Sequence, residues 1–315
     1  TLRGRGTVAQ SGLRNGSVVT FIAKPTSVAA TCCAFAANLG GGDVAAWGGR
    51  KLGGDCSAIQ DQLRDVQQIQ ATQCAFAAIL DDGSVVAWGD PFYGGDSSTV
   101  QVQLRNVQQI QATGCAFAAI LDGGSVVAWG NPEGGGDCVA VQEQLRSTQQ
   151  IQTTASAFAA ILDSGSVVTW GDPKSGGDSS AVQKQLRNVQ QIQGNGGAFA
   201  AVLSDGSVVS WGDPEHGGDS SAVLAQLRNV QQLQAAESAF AAILADGSVV
   251  SWGNPASGGD SSAVQEQLRN VQQLQATDCA FAAILDSGSV VTWGDVSYGG
   301  DSTRVQEQLR NVQKK

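Results

Sequence analysis

Val66–Asn106 reads VQQIQATQCAFAAILDDGSVVAWGDPFYGGDSSTVQVQLRN, and the same 41-residue pattern recurs along almost the whole chain. Trp47, Trp88, Trp129, Trp170, Trp211, Trp252 and Trp293 stand 41 residues apart. Phe35 to Phe281, Asp55 to Asp301 and Arg64 to Arg310 keep the same period, seven times each, and no unit carries an insertion. A fixed period of this size marks a repeat architecture, in which each unit buries its apolar faces against its neighbours.

One unit holds three strand signals. Val66–Gln70 is the first, Ala75–Leu80 the second and Ser84–Trp88 the third, with Asp81-Asp82-Gly83 as the tight turn between the last two. The second and third are apolar on both faces, the mark of a sheet covered on both sides. Gly94-Gly95-Asp96-Ser97-Ser98 is loop, and Ser98–Arg105 carries V-x-x-Q-L at helical spacing. That segment is expected to be irregular or helical, with a short fourth outer strand as the alternative. A short antiparallel sheet buried on both faces and repeated seven times predicts an all-β fold, a seven-bladed β-propeller with three (alternatively four) strands per blade. A linear solenoid is the rival. It usually needs atypical capping repeats, whereas the terminal units here look like the middle ones, so a closed ring is expected. Residues 28–315 form the propeller in this reading. Residues 1–27 fall out of register and are a candidate closure strand, because Gly16–Phe21 resembles a third strand with Phe in place of Trp.

Ile69-Gln70-Ala71, Phe76-Ala77-Ala78-Ile79-Leu80 and Gly83-Ser84-Val85-Val86-Ala87-Trp88-Gly89 together resemble the regulator-of-chromosome-condensation (RCC1-like) repeat. The short period is most similar to the compact seven-bladed β-lactamase-inhibitor members of that family. The resemblance covers about residues 24–313 and implies the propeller fold. Where the family often places His at the start of the second strand, this chain has Cys33, Cys74, Cys115, Ser156, Gly197, Ser238 and Cys279. The family's exchange factor works through an added hairpin and basic segments. No blade here has an insertion, so the fold is expected to carry over and that activity is not.

The net charge of −10 argues against nucleic acid or anionic lipid as the main partner. The longest purely apolar runs are about six residues, far short of the ~20 a membrane-crossing helix needs. The chain starts at Thr1, which is expected of a processed product or a fragment and fits an organelle (plastid) or a secreted location.

Catalytic groups are scarce. His216 is the single histidine, and no phosphate loop, dinucleotide fingerprint or paired-carboxylate motif is present. The seven Cys form no C-x-x-C and are expected to be small packing residues; neither a metal nor any other cofactor is expected. A motif present in every blade more often builds the blade, so the Asp ring is read as turn capping and the Arg ring as capping or pairing between blades. The Gln pairs, such as Gln67-Gln68, are read as hydrogen bonding at blade edges.

Variation is concentrated in two loops. One follows Trp-Gly and includes Arg50-Lys51-Leu52, Pro91-Phe92-Tyr93, Pro214-Glu215-His216 and Val296-Ser297-Tyr298. The other joins the first and second strands at Cys32, Gln73, Gly114, Ala155, Gly196, Glu237 and Asp278. Strand parity puts both on one rim, with the Asp-Gly turns on the other. Variable loops on a rigid scaffold build binding surfaces, and exposed aromatics anchor them. The candidate partner-binding residues are therefore Arg50, Lys51, Leu52, Phe92, Tyr93, His216 and Tyr298. Ring closure is expected to make Tyr298, Arg50–Leu52 and Phe92-Tyr93 one contiguous patch. The expected function is non-catalytic: a scaffold that docks a protein partner, either as an inhibitor-like binder or as a peripheral subunit of a large complex. The alternative is a small-ligand or sugar binder, or an enzyme, using the central channel.

Overall fold

A computed structural model describes residues 26–39 and 42–309. It consists of seven separate antiparallel sheets of three strands each, an all-β arrangement consistent with a seven-bladed propeller. The second blade comprises Val66–Ala71, Ala75–Leu80 and Val85–Gly89, within a residue of the expected bounds. The series runs from Ser27–Ala30, Ala34–Asn38 and Val44–Gly48 to Val271–Ala276, Ala280–Leu285 and Val290–Gly294.

The middle strand is buried on both faces because its neighbours on either side are other blades. In Ala75–Leu80 all but the last residue are buried, and this holds in the next four blades. Phe76 lies opposite Trp88 across the second and third strands, and the two rings stack with centroids 5.2 Å apart. Such a pair adds roughly 0.5–1.5 kcal/mol beyond its area. The first Gln of the pair also marks an irregularity in the strand, and its counterpart Gln108 donates from Nε2 to Asn106 O at 3.4 Å. The register shifts between Val66 and Gln68, so Gln67 is the extra residue of a β-bulge and points to solvent.

The core is a row of six apolar clusters, one between each pair of consecutive blades. In the third of the chain nearest the start, Ala75, Ala77, Ile79, Val85 and Leu104 meet Val107, Ile110, Phe117, Ala119, Val127 and Trp129 of the following blade. Three polar seams accompany each cluster. The Trp129 indole N–H donates to the Gly94 carbonyl of the preceding blade at 3.0 Å. Gln73 N–H donates to Gly114 O at one rim, and Val107 N–H to Gly83 O at the other, both at 2.9 Å. Buried polar groups are thereby satisfied across the interface rather than left bare.

Ser98–Arg105 and its counterparts form turns and short 3-10 pieces, with one turn of α-helix at Gln306–Leu309, and no fourth strand among the described residues. The helical spacing has a clear use. Leu104 and its equivalents Leu63, Leu145, Leu186, Leu227 and Leu268 are almost fully buried anchors. Gln101 donates from Nε2 to Val85 O at 2.9 Å, tying the connection to the third strand. No helix among the described residues is long and apolar enough to cross a membrane.

Among the described residues the Phe–Trp pair of the first blade lacks the cover that its counterparts have. Phe35 is 46% exposed and Trp47 48% exposed, whereas Phe76 to Phe281 and Trp88 to Trp293 at the equivalent places are 5% exposed or less. The first blade presents a reduced apolar face to a preceding neighbour. Its first strand is only four residues long, and Ala45 stands where Val86 and Val127 stand later. The candidate closure strand lies outside the described residues as far as residue 25.

Candidate protein-docking rim

The rim is built by one loop geometry used in every blade. After Trp88-Gly89 the chain enters a short 3-10 turn, Pro91–Tyr93, capped by Asp90, whose carboxylate accepts from Phe92 N–H at 2.9 Å. Pro at the first helical position fixes φ without losing a needed donor. The turn ends at Gly94, whose φ of 91° is left-handed and whose missing Cβ leaves room for Phe117 of the next blade. The equivalent turns are Arg50–Leu52, Pro132–Gly134, Pro173–Gly177, Pro214–His216, Pro255–Ser257 and Val296–Tyr298.

The loop between the first and second strands reaches the same rim. Thr72 donates from Oγ1 to Tyr93 O at 2.9 Å, and Thr277 does the same to Tyr298 O. Asn195 takes that place in the fifth blade and donates to His216 O at 2.7 Å. Backbone N–H groups of Cys32, Gln73, Gly114, Ala155, Gly196 and Glu237 each donate to the carbonyl of the residue 41 positions later, so the variable positions form one continuous row. The two variable loops thus share a rim, as strand parity requires.

Arg50, Lys51, Leu52, Phe92, Tyr93, His216 and Tyr298 all sit on these 3-10 turns. Phe92 is 61% exposed and packs edge-on against Tyr93, with centroids 5.3 Å apart. Arg50 pairs with Asp55 of its own blade at 2.8 Å, which leaves Lys51 as the exposed cation without an ion pair at that place among the described residues. His216 is half-buried, with Nδ1 3.0 Å from Asp213 Oδ2. The first and second blades are neighbours, so Arg50–Leu52 and Phe92-Tyr93 lie on adjacent turns. Tyr298 sits on the corresponding turn of the seventh blade, Val296–Tyr298.

The repeated aspartates cap turns. Asp96 accepts from Ser98 N–H at 2.8 Å, and Asp55, Asp137, Asp178, Asp219, Asp260 and Asp301 make the same turn. The Ser98 backbone N–H, then its hydroxyl, holds the Asp96 carboxyl below its usual value. The Arg ring does not pair between blades among the described residues. Arg64 reaches Asp61 at 2.7 Å and Arg146 reaches Glu143, both within one connecting segment.

The cysteines are all free. Cys56 and Cys138 occupy the place of Ser97 and Ser179, each donating to a Gln side chain as the serines do. Burial pushes both thiols up. Sequence spacing did not reveal one meeting: Cys32 Sγ lies 3.8 Å from Cys74 Sγ of the next blade and 3.2 Å from Cys33 Sγ. The signal available was the row of positions 41 apart, which brings position 32 of one blade against the start of the second strand of the next. A groove of about 540 Å³ lies between the fourth and fifth blades, lined in part by Lys174, Asp178, Val182, Trp211 and Pro214.

Fold and rim together define a scaffold of seven three-stranded blades presenting a row of variable turns. No protein-family profile and no curated protein matches the chain. Among solved structures it is similar to human WBSCR16, at 17% identity over 75% of this chain and 78% of that one, TM-score 0.44. It is similar to Prp20p of Saccharomyces cerevisiae at 16% identity over 74% and 72%, TM-score 0.44. It is also similar to the ectodomain of the Physcomitrella patens receptor kinase CR4 at 14% identity over 85% and 73%, TM-score 0.45. At these scores the likenesses carry no weight of their own, and the fold rests on the seven sheets themselves.

Proposed function

We propose that this chain is a non-catalytic interaction scaffold that docks a protein partner through the rim turns of its first two blades. The observation that supports this most directly is the aromatic pair Phe92–Tyr93. A ring that is 61% exposed stands on a turn whose backbone is fixed on three sides, on the blade next to the exposed Lys51 and half-buried Leu52. Rigid aromatic anchors on a pre-formed loop lose little entropy on binding, which is why such residues dominate interface energetics. The turn keeps its geometry when its side chains change, as Pro132-Glu133-Gly134 and Pro255-Ala256-Ser257 show, so Phe92 and Tyr93 are not needed to build it.

The partner is a protein, as an inhibitor-like target or as the rest of a large complex. Lys51 on a chain of net charge −10 favours an acidic contact opposite it. The test is affinity capture from the native source, followed by binding of the purified partner to the wild type and to Phe92→Ala/Tyr93→Ala. Loss of about 2 kcal/mol or more in affinity, with the fold unchanged by circular dichroism, is expected. Unchanged affinity, or contact confined to the Asp-Gly turns of the opposite rim, overturns the proposal.

A further inference from the structure

Among the described residues one interface is built six times, and the first and seventh blades each present one half of it. In every inner interface the incoming blade supplies a stacked Phe–Trp pair. The outgoing blade supplies a left-handed Gly beneath the Phe and a carbonyl for the indole N–H. Gly53, Gly94, Gly135, Gly176, Gly217 and Gly258 each lie where a Cβ would strike the next blade's Phe. The same six carbonyls accept from Trp88, Trp129, Trp170, Trp211, Trp252 and Trp293 at 2.9–3.0 Å.

The first blade has the incoming half without a neighbour. Phe35 and Trp47 stack at 5.4 Å, and both are about half exposed beside Val28 at 63%. The Trp47 indole N–H has no hydrogen bond among the described residues. The seventh blade has the outgoing half. Gly299 has φ 99°, like its counterparts, but nothing lies within 4 Å of the Cβ position that elsewhere meets a Phe ring. Ala282, Ile284 and Leu309 are only partly buried, where Ala241, Ile243 and Leu268 one blade earlier are buried. The Asp278 N–H and the Cys32 carbonyl, which would extend the row of rim bonds by one, make no such bond among the described residues.

We propose that these two ends bind each other between copies of this chain, the seventh blade of one copy seating on the first blade of the next. What covers each face is written in the molecule six times: the missing partner of Phe35 and Trp47 is a Gly-terminated turn with a free carbonyl, and the seventh blade's Gly299 is such a turn. Among the described residues the two halves do not meet, since nothing lies within 4 Å of the Cβ position of Gly299. Exposed aromatic and aliphatic faces of matching shape favour association by removing apolar area from water. The contact is heterologous and head-to-tail, so it forms filaments, or a closed ring of copies if the rotation allows. This inference uses different faces from the docking rim and stands or falls separately from it.

The inner geometry supplies the test. Cys32 Sγ and Cys74 Sγ are 3.8 Å apart across the first interface. Asp278 is the counterpart of Cys32, and Cys33 that of Cys74. In a Cys32→Ser/Asp278→Cys variant, the proposal places the introduced thiol of one copy against Cys33 of the next. Oxidation with diamide takes two electrons and two protons from each thiol pair and forms one disulfide. The expected result is a ladder of dimers, trimers and higher species on a non-reducing gel, reversed by dithiothreitol and absent from the Cys32→Ser parent. In sedimentation velocity the mass of the wild type should rise with concentration. Trp47→Asp, placed on an exposed side chain that leaves the inner blades intact, should weaken that association about ten-fold or more. A single monomeric species with two thiols lost would mean that the ring closes within one chain. No cross-link with all thiols free would mean that the ends do not meet. Either result, or a wild type that stays monomeric at every concentration, overturns the proposal.

Discussion

Trp170→Phe and Trp47→Phe are the same chemical change at equivalent places, and the structure gives them different costs. Trp170 is buried, stacks on Phe158 at 5.0 Å and 13°, and donates from its indole N–H to Gly135 O at 3.0 Å. Phe keeps the stacking and loses the donor. The Gly135 carbonyl is then buried without its partner, which costs about 1–3 kcal/mol. The smaller ring leaves part of the indole volume empty, for roughly another 1 kcal/mol. The sum is about 2–4 kcal/mol at one interface, and in a nearest-neighbour array a weakened interface lowers the stability of the blades on both sides. Trp47 stacks on Phe35 but is half exposed, and its indole N–H has no carbonyl partner among the described residues, so Phe, which keeps the stacking, should cost about 0.5 kcal/mol or less there, as for an ordinary surface change. Urea unfolding followed by far-ultraviolet circular dichroism, in dilute protein so that any association is suppressed, compares the two. Equal destabilisation by both variants would refute the reasoning, because it would mean that the first blade has a neighbour of the inner kind.

Gly135→Ala should destabilise by about 2–4 kcal/mol, through left-handed backbone strain and a Cβ 2.5 Å from the Phe158 ring, whereas Gly299→Ala should cost only the strain, about 1 kcal/mol. Thermal melts of the two variants check this, and a Gly299 variant as unstable as the Gly135 one would contradict it. The Asp96, Asp178, Asp219, Asp260 and Asp301 carboxyls are held below their usual value, first by the backbone N–H two residues on and then by that residue's hydroxyl. A folded value below the unfolded one means the contribution is complete above about pH 4 and is lost as the pH falls through the lower folded values. Urea midpoints should therefore drop between about pH 4 and about pH 2, and Asp178→Ala/Asp219→Ala should flatten that drop. A midpoint that rises on acidification would contradict the assignment.

Periodicity made most of the architecture legible. Val66, Phe76 and Trp88 recur without insertion, so strand bounds read from one unit hold in all seven within a residue or two. The two variable loops could be assigned to one rim because three strands leave no other parity, and the hydrogen bonds from Thr72 and Thr277 to the turn carbonyls follow from it. What the repeat hid was its own end. A repeating pattern describes an inner interface equally well at every position, so Trp47 looked like any other Trp. Its exposure depends on what covers the outer face of the first blade, to which spacing is blind. The Gln67 bulge was hidden for a similar reason, since one extra residue in a polar strand edge leaves the 41-residue period untouched. The Cys32–Cys74 meeting was hidden because it pairs positions 42 apart, one off the repeat.

Solvent exchange of the seven indole N–H groups reads the account most directly, because each reports one interface. In a 15N-labelled sample the seven resonances are assigned by single Trp→Phe variants and followed after transfer into deuterated water. Trp88, Trp129, Trp170, Trp211, Trp252 and Trp293, each bonded to the preceding blade's glycine carbonyl, should exchange slowly, and Trp47 in dilute protein should exchange at once. Seven equally protected indoles in dilute protein, or rapid exchange at most of the six, would contradict seven blades joined among the described residues by six like interfaces, with Trp47 outside them.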